Sequence, residues 1–214
     1  MSEQRQYRAI LLFGMPGSGK GTQGAVLGML PSLIHISMGD VFRKIPRYGR
    51  FGQEIAEYTS QGLLVPDDLT VRIWENHIKI MEMQELLLPD EHTLILDGLP
   101  RNYKQAQMLA GFLEVVEILH LKIKDGSKVS ERLKARALRE NRLDDMNEEV
   151  IKRRLTTYYE ETFKTLSYYP PESVYDIDAG QGPLDVLRDI VNRLSELQRL
   201  RRDARDAAGF APLW

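Results

Sequence analysis

The segment Ala9-Ile10-Leu11-Leu12-Phe13, running straight into Gly14-Met15-Pro16-Gly17-Ser18-Gly19-Lys20-Gly21-Thr22, constrains this chain more than any other part of it. Five consecutive apolar residues leave no polar face, which suits a strand covered on both sides in a parallel sheet. The glycines that end the run let successive backbone N–H groups turn inward around phosphate oxygens, and Lys20 adds a positive charge at the β and γ phosphates of a nucleotide. A helix starts near Lys20. Strand, glycine-rich loop, lysine and helix in that order read as a P-loop, with Gly17, Ser18, Gly19, Lys20, Gly21 and Thr22 around the donor phosphates. The generic pattern wants Ser or Thr directly after the lysine; here Gly21 takes that place and Thr22 follows. Gly19-x-Gly21-x-x-Gly24 also fits a dinucleotide fingerprint formally, but it would put a lysine in the tightest turn and lacks a clean acidic end to strand two.

Short apolar runs recur at residues 33–36, 94–96, 118–123 and 174–177, separated by segments long enough for helices. Five parallel strands with right-handed crossovers are therefore expected: a three-layer α/β P-loop fold, binding its ligands at the carboxyl ends of the strands. Near the end, Leu184, Leu187, Ile190, Val191, Leu194 and Leu197 form an apolar stripe at helical spacing, expected to pack on the sheet. Two intervals break the alternation, residues 38–68 and 140–149, and read as inserts over the site. The expected organisation is one domain over 1–208 followed by a tail at 209–214.

The bulk properties remove whole classes. A chain of 214 residues with 43% hydrophobic and 28% charged residues can bury a sizeable core. A formal charge of -2 gives no global attraction to nucleic acid or an anionic membrane, so any anion site must be local. There is no cysteine, which excludes disulfides, thiolate metal sites and cysteine nucleophiles. No run of eighteen apolar residues and no signal-like segment is present, so a cytoplasmic location is the default expectation. His35, His77, His92 and His120 lack metal-ligand spacing and read as structural.

Beyond the loop, Ser37-Met38-Gly39-Asp40-Val41-Phe42-Arg43 follows the second run, Gly62-Leu63-Leu64-Val65-Pro66-Asp67 precedes a helical pattern, and Leu94-Ile95-Leu96-Asp97-Gly98-Leu99-Pro100-Arg101 ends the third run with Gln105 four residues on. An aspartate at a strand end beside a P-loop suits waters of Mg²⁺, a paired set of guanidinium forks suits one phosphate, and an amide that donates and accepts suits a base edge. Arg132 and Arg136, four apart, share a helix face. With Asn141-Arg142-Leu143-Asp144-Asp145 and Arg154 after them, these motifs resemble, in order from about Ala9 to about Leu194, the adenylate kinase family.

That resemblance implies reversible transfer of the terminal phosphoryl group of Mg-ATP to AMP, without a covalent intermediate. It assigns Asp40 and Asp97 to Mg²⁺ through water, and Lys20, Arg101, Arg136, Arg142 and Arg154 to the transferring group. Arg132, Arg136 and the backbone near Gln181 fall to ATP. Met38, Arg43, Leu63, Leu64, Val65, Gly98, Arg101 and Gln105 fall to AMP. It also implies a helical monophosphate-binding insert at about 37–68, a short lid at about 137–149 with no Cys or His cluster for zinc, and a monomer. Met38, Leu99 and Asn141 depart from the family's usual residues, and Asn102 has some likeness to pyrimidine-directed relatives. Another monophosphate as acceptor (UMP, CMP or dAMP), a homologue with lost turnover and a nucleotide-dependent switch are the competing readings.

Overall fold

The computed structural model describes residues 6–124, 126–140 and 147–207. The expected lid residues Arg142, Asp144 and Asp145, and the tail at 209–214, lie outside the described residues. Five strands form one parallel sheet: β1 (Tyr7–Gly14), β2 (Leu33–Ser37), β3 (Thr93–Asp97), β4 (Leu113–Lys122) and β5 (Val174–Asp178). Their order across the sheet is β2-β3-β1-β4-β5. The helices are α1 (Lys20–Leu27), α2 (Met38–Lys44), α3 (Arg50–Ser60), α4 (Asp67–Met83), α5 (Tyr103–Leu109), α6 (Gly126–Glu140), α7 (Glu148–Thr157) and α8 (Pro183–Ala207).

The central strand explains its own composition. Side chains alternate across a strand, so Ile10 and Leu12 enter one core with Leu119, Leu121 and the helix residues Leu27, Val129, Leu133 and Ile190. Ala9, Leu11 and Phe13 enter the other, with Leu94, Leu96 and the helix residues Val71, Trp74, Ile78 and Leu109. Both faces are dry, hence the unbroken apolar run. Ile55, Val65 and Leu69 make a smaller third core with Phe42, Ile45 and Tyr58, which ties α2, α3 and the start of α4 together.

Two expectations about the scaffold change. Strand β4 starts at Leu113, five residues before the apolar run, because Glu114 and Glu117 interrupt the pattern. Glu117 is nonetheless buried, its carboxylate accepting from Arg193 Nη2 of α8 at 2.8 Å. The apolar seam of α8 is also rotated from the expected stripe. Val186 and Ile190 are buried, with Leu187 and Leu194 packed beside them, whereas Leu184 is 81% exposed and Val191 42%.

Register places the chemistry. Leu12 on β1 and Ser37 on β2 both pair with Asp97 on β3. The P-loop, Asp97 and the start of α2 therefore emerge together at the carboxyl edge of the sheet, where ligands of open α/β sheets bind.

Candidate active site

Gly14, Gly17 and Gly19 hold φ of +146°, +82° and +93°, a region costly for residues with a Cβ, so the loop bends as only glycine allows. Helix α1 begins at Lys20 with no side-chain cap on its N-terminus, leaving its first donors to an anion. Ser18 Oγ is buried in the loop with no hydrogen-bond partner among the described residues. Lys20 Nζ folds back to donate to the carbonyls of Gly14 (2.6 Å) and Met15 (3.2 Å). The loop residues from Gly17 to Thr22 line a cleft of about 690 Å³, together with Asp40, Asp97, Arg132, Arg136, Arg154 and Gln181. That is the volume of a small-molecule site. Arg132 donates from Nη1 to the Ala179 carbonyl at 2.7 Å and from Nη2 to that of Gln181 at 3.3 Å, so it fixes the loop after β5 as one wall.

A second, smaller recess of about 120 Å³ adjoins the cleft, between α2, α3 and the turn after β3. Arg43, Leu63, Leu64, Val65, Gly98, Arg101 and Gln105 all line it. Arg101 curls over Gly98, Nε donating to its carbonyl at 3.2 Å. A methyl group on Gly98 would sit 3.0 Å from that guanidinium, and Gly98 has φ +80°. Arg43 is paired with Asp40 one turn earlier on α2. Met38 does not reach either cavity. As the first residue of α2 it turns into the sheet-facing core and is 1% exposed. Among the lining residues outside the sequence-predicted set are Arg47, in the link before α3, and Tyr158, just past α7. Neither lies in a motif or on a periodic face that would have marked it.

Arg43, Arg101 and Arg154 line both spaces, so the junction between them is cationic. Burial, against the pull of Asp97 and with the repulsion of Arg101, Arg136 and Arg154, lowers the Lys20 ammonium to about 8. Burial, with Arg154 as the chief repelling neighbour, lowers Arg101 to about 10. Cations that perturb one another in this way need a polyanion to relieve them. A P-loop cleft thus meets a second recess with Arg43, Arg101 and Arg154 shared between them, an arrangement able to hold two phosphorylated ligands side by side.

Comparison with known proteins agrees. The adenylate kinase family model matches residues 12–174. The chain belongs to the adenylate kinase family. It is 34% identical over 196 residues to an adenylate kinase of Cyanothece sp., covering 88% of this chain and 96% of that protein. It is equally identical over 196 residues to one of Flavobacterium psychrophilum, with the same coverage, and over 195 residues to one of Phocaeicola vulgatus, covering 88% of this chain and 98% of that protein. Membership makes the chain a nucleotide-binding transferase of the kinase type.

Within the adenylate kinase frame the departures find places. Leu99 is buried in the core shared with Trp74. Asn102 caps α5, its Oδ1 accepting from Gln105 N at 2.8 Å. His120 on β4 is a structural link: Nδ1 lies 2.9 Å from Asp176 Oδ1 and Nε2 2.9 Å from the Tyr158 hydroxyl. Tyr158 opens a π-helical turn, Tyr158–Thr162, whose Thr162 hydroxyl donates to the Arg101 carbonyl at 2.8 Å. The segment after α7 is thus pinned to the sheet and to the Arg101 backbone at once. Among the described residues no group of three or more His, Cys, Asp or Glu could cage a metal, and no helix is long and apolar enough to cross a membrane. The carboxylates Asp40 and Asp97 on the cleft wall fit Mg²⁺, which keeps several waters and takes one or two carboxylates plus phosphate oxygens.

Proposed function

We propose that this chain transfers the terminal phosphoryl group of ATP reversibly to AMP, giving two ADP. The observation that carries this reading is the set of arginines shared by the two cavities, which supports a site where donor and acceptor phosphates meet. ATP lies in the larger cleft, its phosphates on the P-loop N–H groups and Lys20, its base against the loop held by Arg132. AMP lies in the smaller recess, its phosphate on Arg43 and Arg101, its base toward Leu63, Leu64, Val65 and Gln105. An AMP phosphate oxygen attacks the γ phosphorus in line, the bond to the β–γ bridging oxygen breaks, and the electron pair leaves with ADP. The attacking oxygen is already anionic near neutral pH, so no general base is required.

The protein's work is positioning and charge neutralisation. Lys20, Arg136 and Arg154 face the charge that spreads over the transferring group, and Arg142 is assigned there by resemblance. Asp40 and Asp97 would hold Mg²⁺ through water; when bound, the ion neutralises donor phosphate charge. Closing the insert and lid would exclude water, the competing acceptor. The test incubates purified protein with Mg-ATP and AMP, UMP, CMP, GMP or water alone while nucleoside diphosphate is followed. Rapid ADP formation with AMP, lost in Lys20→Ala and weakened at low AMP in Arg101→Ala, is the expected result. Faster turnover of another monophosphate, or ATP binding without any transfer, would discard the reading.

A further inference from the structure

Gln105 is 2% exposed yet lines the acceptor recess, so what it offers a ligand is decided by its neighbours. Its amide is held at both ends. Nε2 donates to Asp67 Oδ1 at 2.9 Å, and Oε1 accepts from the backbone N–H of Arg101 at 2.8 Å. A carboxylate can only accept and a backbone N–H can only donate, so these two partners dictate the same orientation of the amide. The same Asp67 oxygen accepts from Asn102 Nδ2 at 2.7 Å, while Asn102 Oδ1 accepts from Gln105 N. One carboxylate therefore keys two amides. Asp67 is positioned for this as the first residue of α4, with Lys104 Nζ 3.8 Å from its other oxygen.

From this geometry we infer that Asp67 is a specificity-determining residue that locks Gln105 in the sense matching adenine. The inference rests on the reading that the acceptor base faces Gln105. After its two internal bonds the amide keeps one N–H and one oxygen lone pair. Adenine presents the complement, an acceptor at N1 beside a donor at N6. Hypoxanthine and guanine present N1–H beside a carbonyl and would need the amide reversed. Reversal would set Gln105 Oε1 against the Asp67 carboxylate and its N–H groups against the Arg101 N–H, two repulsive pairs in a dry site. Rejection by groups left unpaired is the strong form of discrimination. Asp67 touches no substrate; it acts through Gln105.

The experiment measures kcat/KM for AMP, IMP and purine riboside 5′-monophosphate at saturating Mg-ATP, for the unaltered protein, Asp67→Asn and Asp68→Asn. Asparagine can donate or accept, so Asp67→Asn removes one of the two constraints on the amide and leaves only the Arg101 N–H to orient it. The expected result is a drop in the AMP-to-IMP ratio of about tenfold or more, with KM for ATP held within about threefold. Asp68→Asn, an acid in the same helical turn facing Lys104 at 3.6 Å, leaves that ratio unchanged. Equal losses for AMP and IMP in Asp67→Asn would reduce Asp67 to a helix-terminal charge. Should Asp67→Asn not fold, the unaltered protein still decides: purine riboside monophosphate keeps the N1 acceptor and must outperform IMP, and the reverse order overturns the lock. No turnover of AMP by the unaltered protein would instead remove the functional reading, and the inference with it.

Discussion

The two halves of the site are built on different principles. The side proposed for the donor is made largely of backbone: three glycines with positive φ, the N-terminus of α1, and the 179–181 loop held through its carbonyls by Arg132. The side proposed for the acceptor is made of side chains drawn from α2, the α3–α4 link, the turn after β3 and α5. Backbone donors grip any nucleoside triphosphate through the phosphates that all of them share, whereas side chains select. On the proposed function, the difference teaches where this chain carries chemistry and where it carries choice.

The sharpest way to break that division is to remove one cation from each side. Lys20→Ala is expected to lower kcat about a thousandfold with every acceptor, as losing a charge from the transition state does. Arg101→Ala should raise KM for AMP by about ten- to a hundredfold while KM for ATP stays nearly fixed. If Arg101→Ala shifts both KM values alike in steady-state assays, the two sides are one undivided site. Next comes pH. With Lys20 lowered to about 8 in the nucleotide-free protein, kcat/KM for ATP should fall about tenfold per unit once pH rises past that value. The kcat at saturation should persist to higher pH, because bound phosphates restore the charge. A kcat/KM that is flat to pH 10 would show that the ammonium is not depressed.

Gly98→Ala tests the acceptor side by geometry instead of charge. The positive φ and the 3.0 Å approach to Arg101 should cost about 1–2 kcal/mol of stability and raise KM for AMP by about tenfold or less, sparing ATP. Denaturant melts and separate KM values check both halves of that statement. The smallest expected effect is acid sensitivity. Burial lowers His35, His77 and His120 below their usual value, in His120 despite the opposing hydrogen bond to Asp176. The unfolded chain then takes up these protons first as pH falls through about 6.5, so stability is complete above that pH and declines below it. His35 lies under α1, where a Cβ on Gly24 would meet its Nε2. His35→Gln should lose less stability than the unaltered chain between pH 7.5 and 5.5, with a smaller effect for the less buried His77→Gln. Parallel pH curves for all three proteins in urea melts would count against this account.

How much of this was legible in the sequence follows the same division. The P-loop, Asp97-Gly98 and the five strands could be read because each is contiguous: a doubly covered strand announces itself as an apolar run, and a phosphate loop as glycines at its end. Strand β4 was read short because Glu117 is buried with a partner, Arg193, 76 residues away, which no local pattern encodes. The apolar seam of α8 was misjudged because helical spacing defines a stripe without its absolute rotation. Met38 shows a related limit, since a motif gives position along the chain while the pitch of α2 turns this side chain into the core. Arg47, Tyr158 and the keying of Gln105 by Asp67 come from tertiary neighbours alone. Asn102, whose likeness to pyrimidine-directed relatives pointed at the base, serves α5 and Asp67.

Trp74 has an optical consequence. Its indole is fully buried between the edge-on rings of Tyr7 and Phe112 and lines neither cavity. Its emission should therefore be blue-shifted in the folded chain, move to the red when the core opens, and stay quiet while nucleotides come and go in the cleft. With Trp214 replaced by Phe, this core thus carries its own dye, and the shift in melting temperature caused by each ligand can be read at one wavelength without labelling the site that binds it.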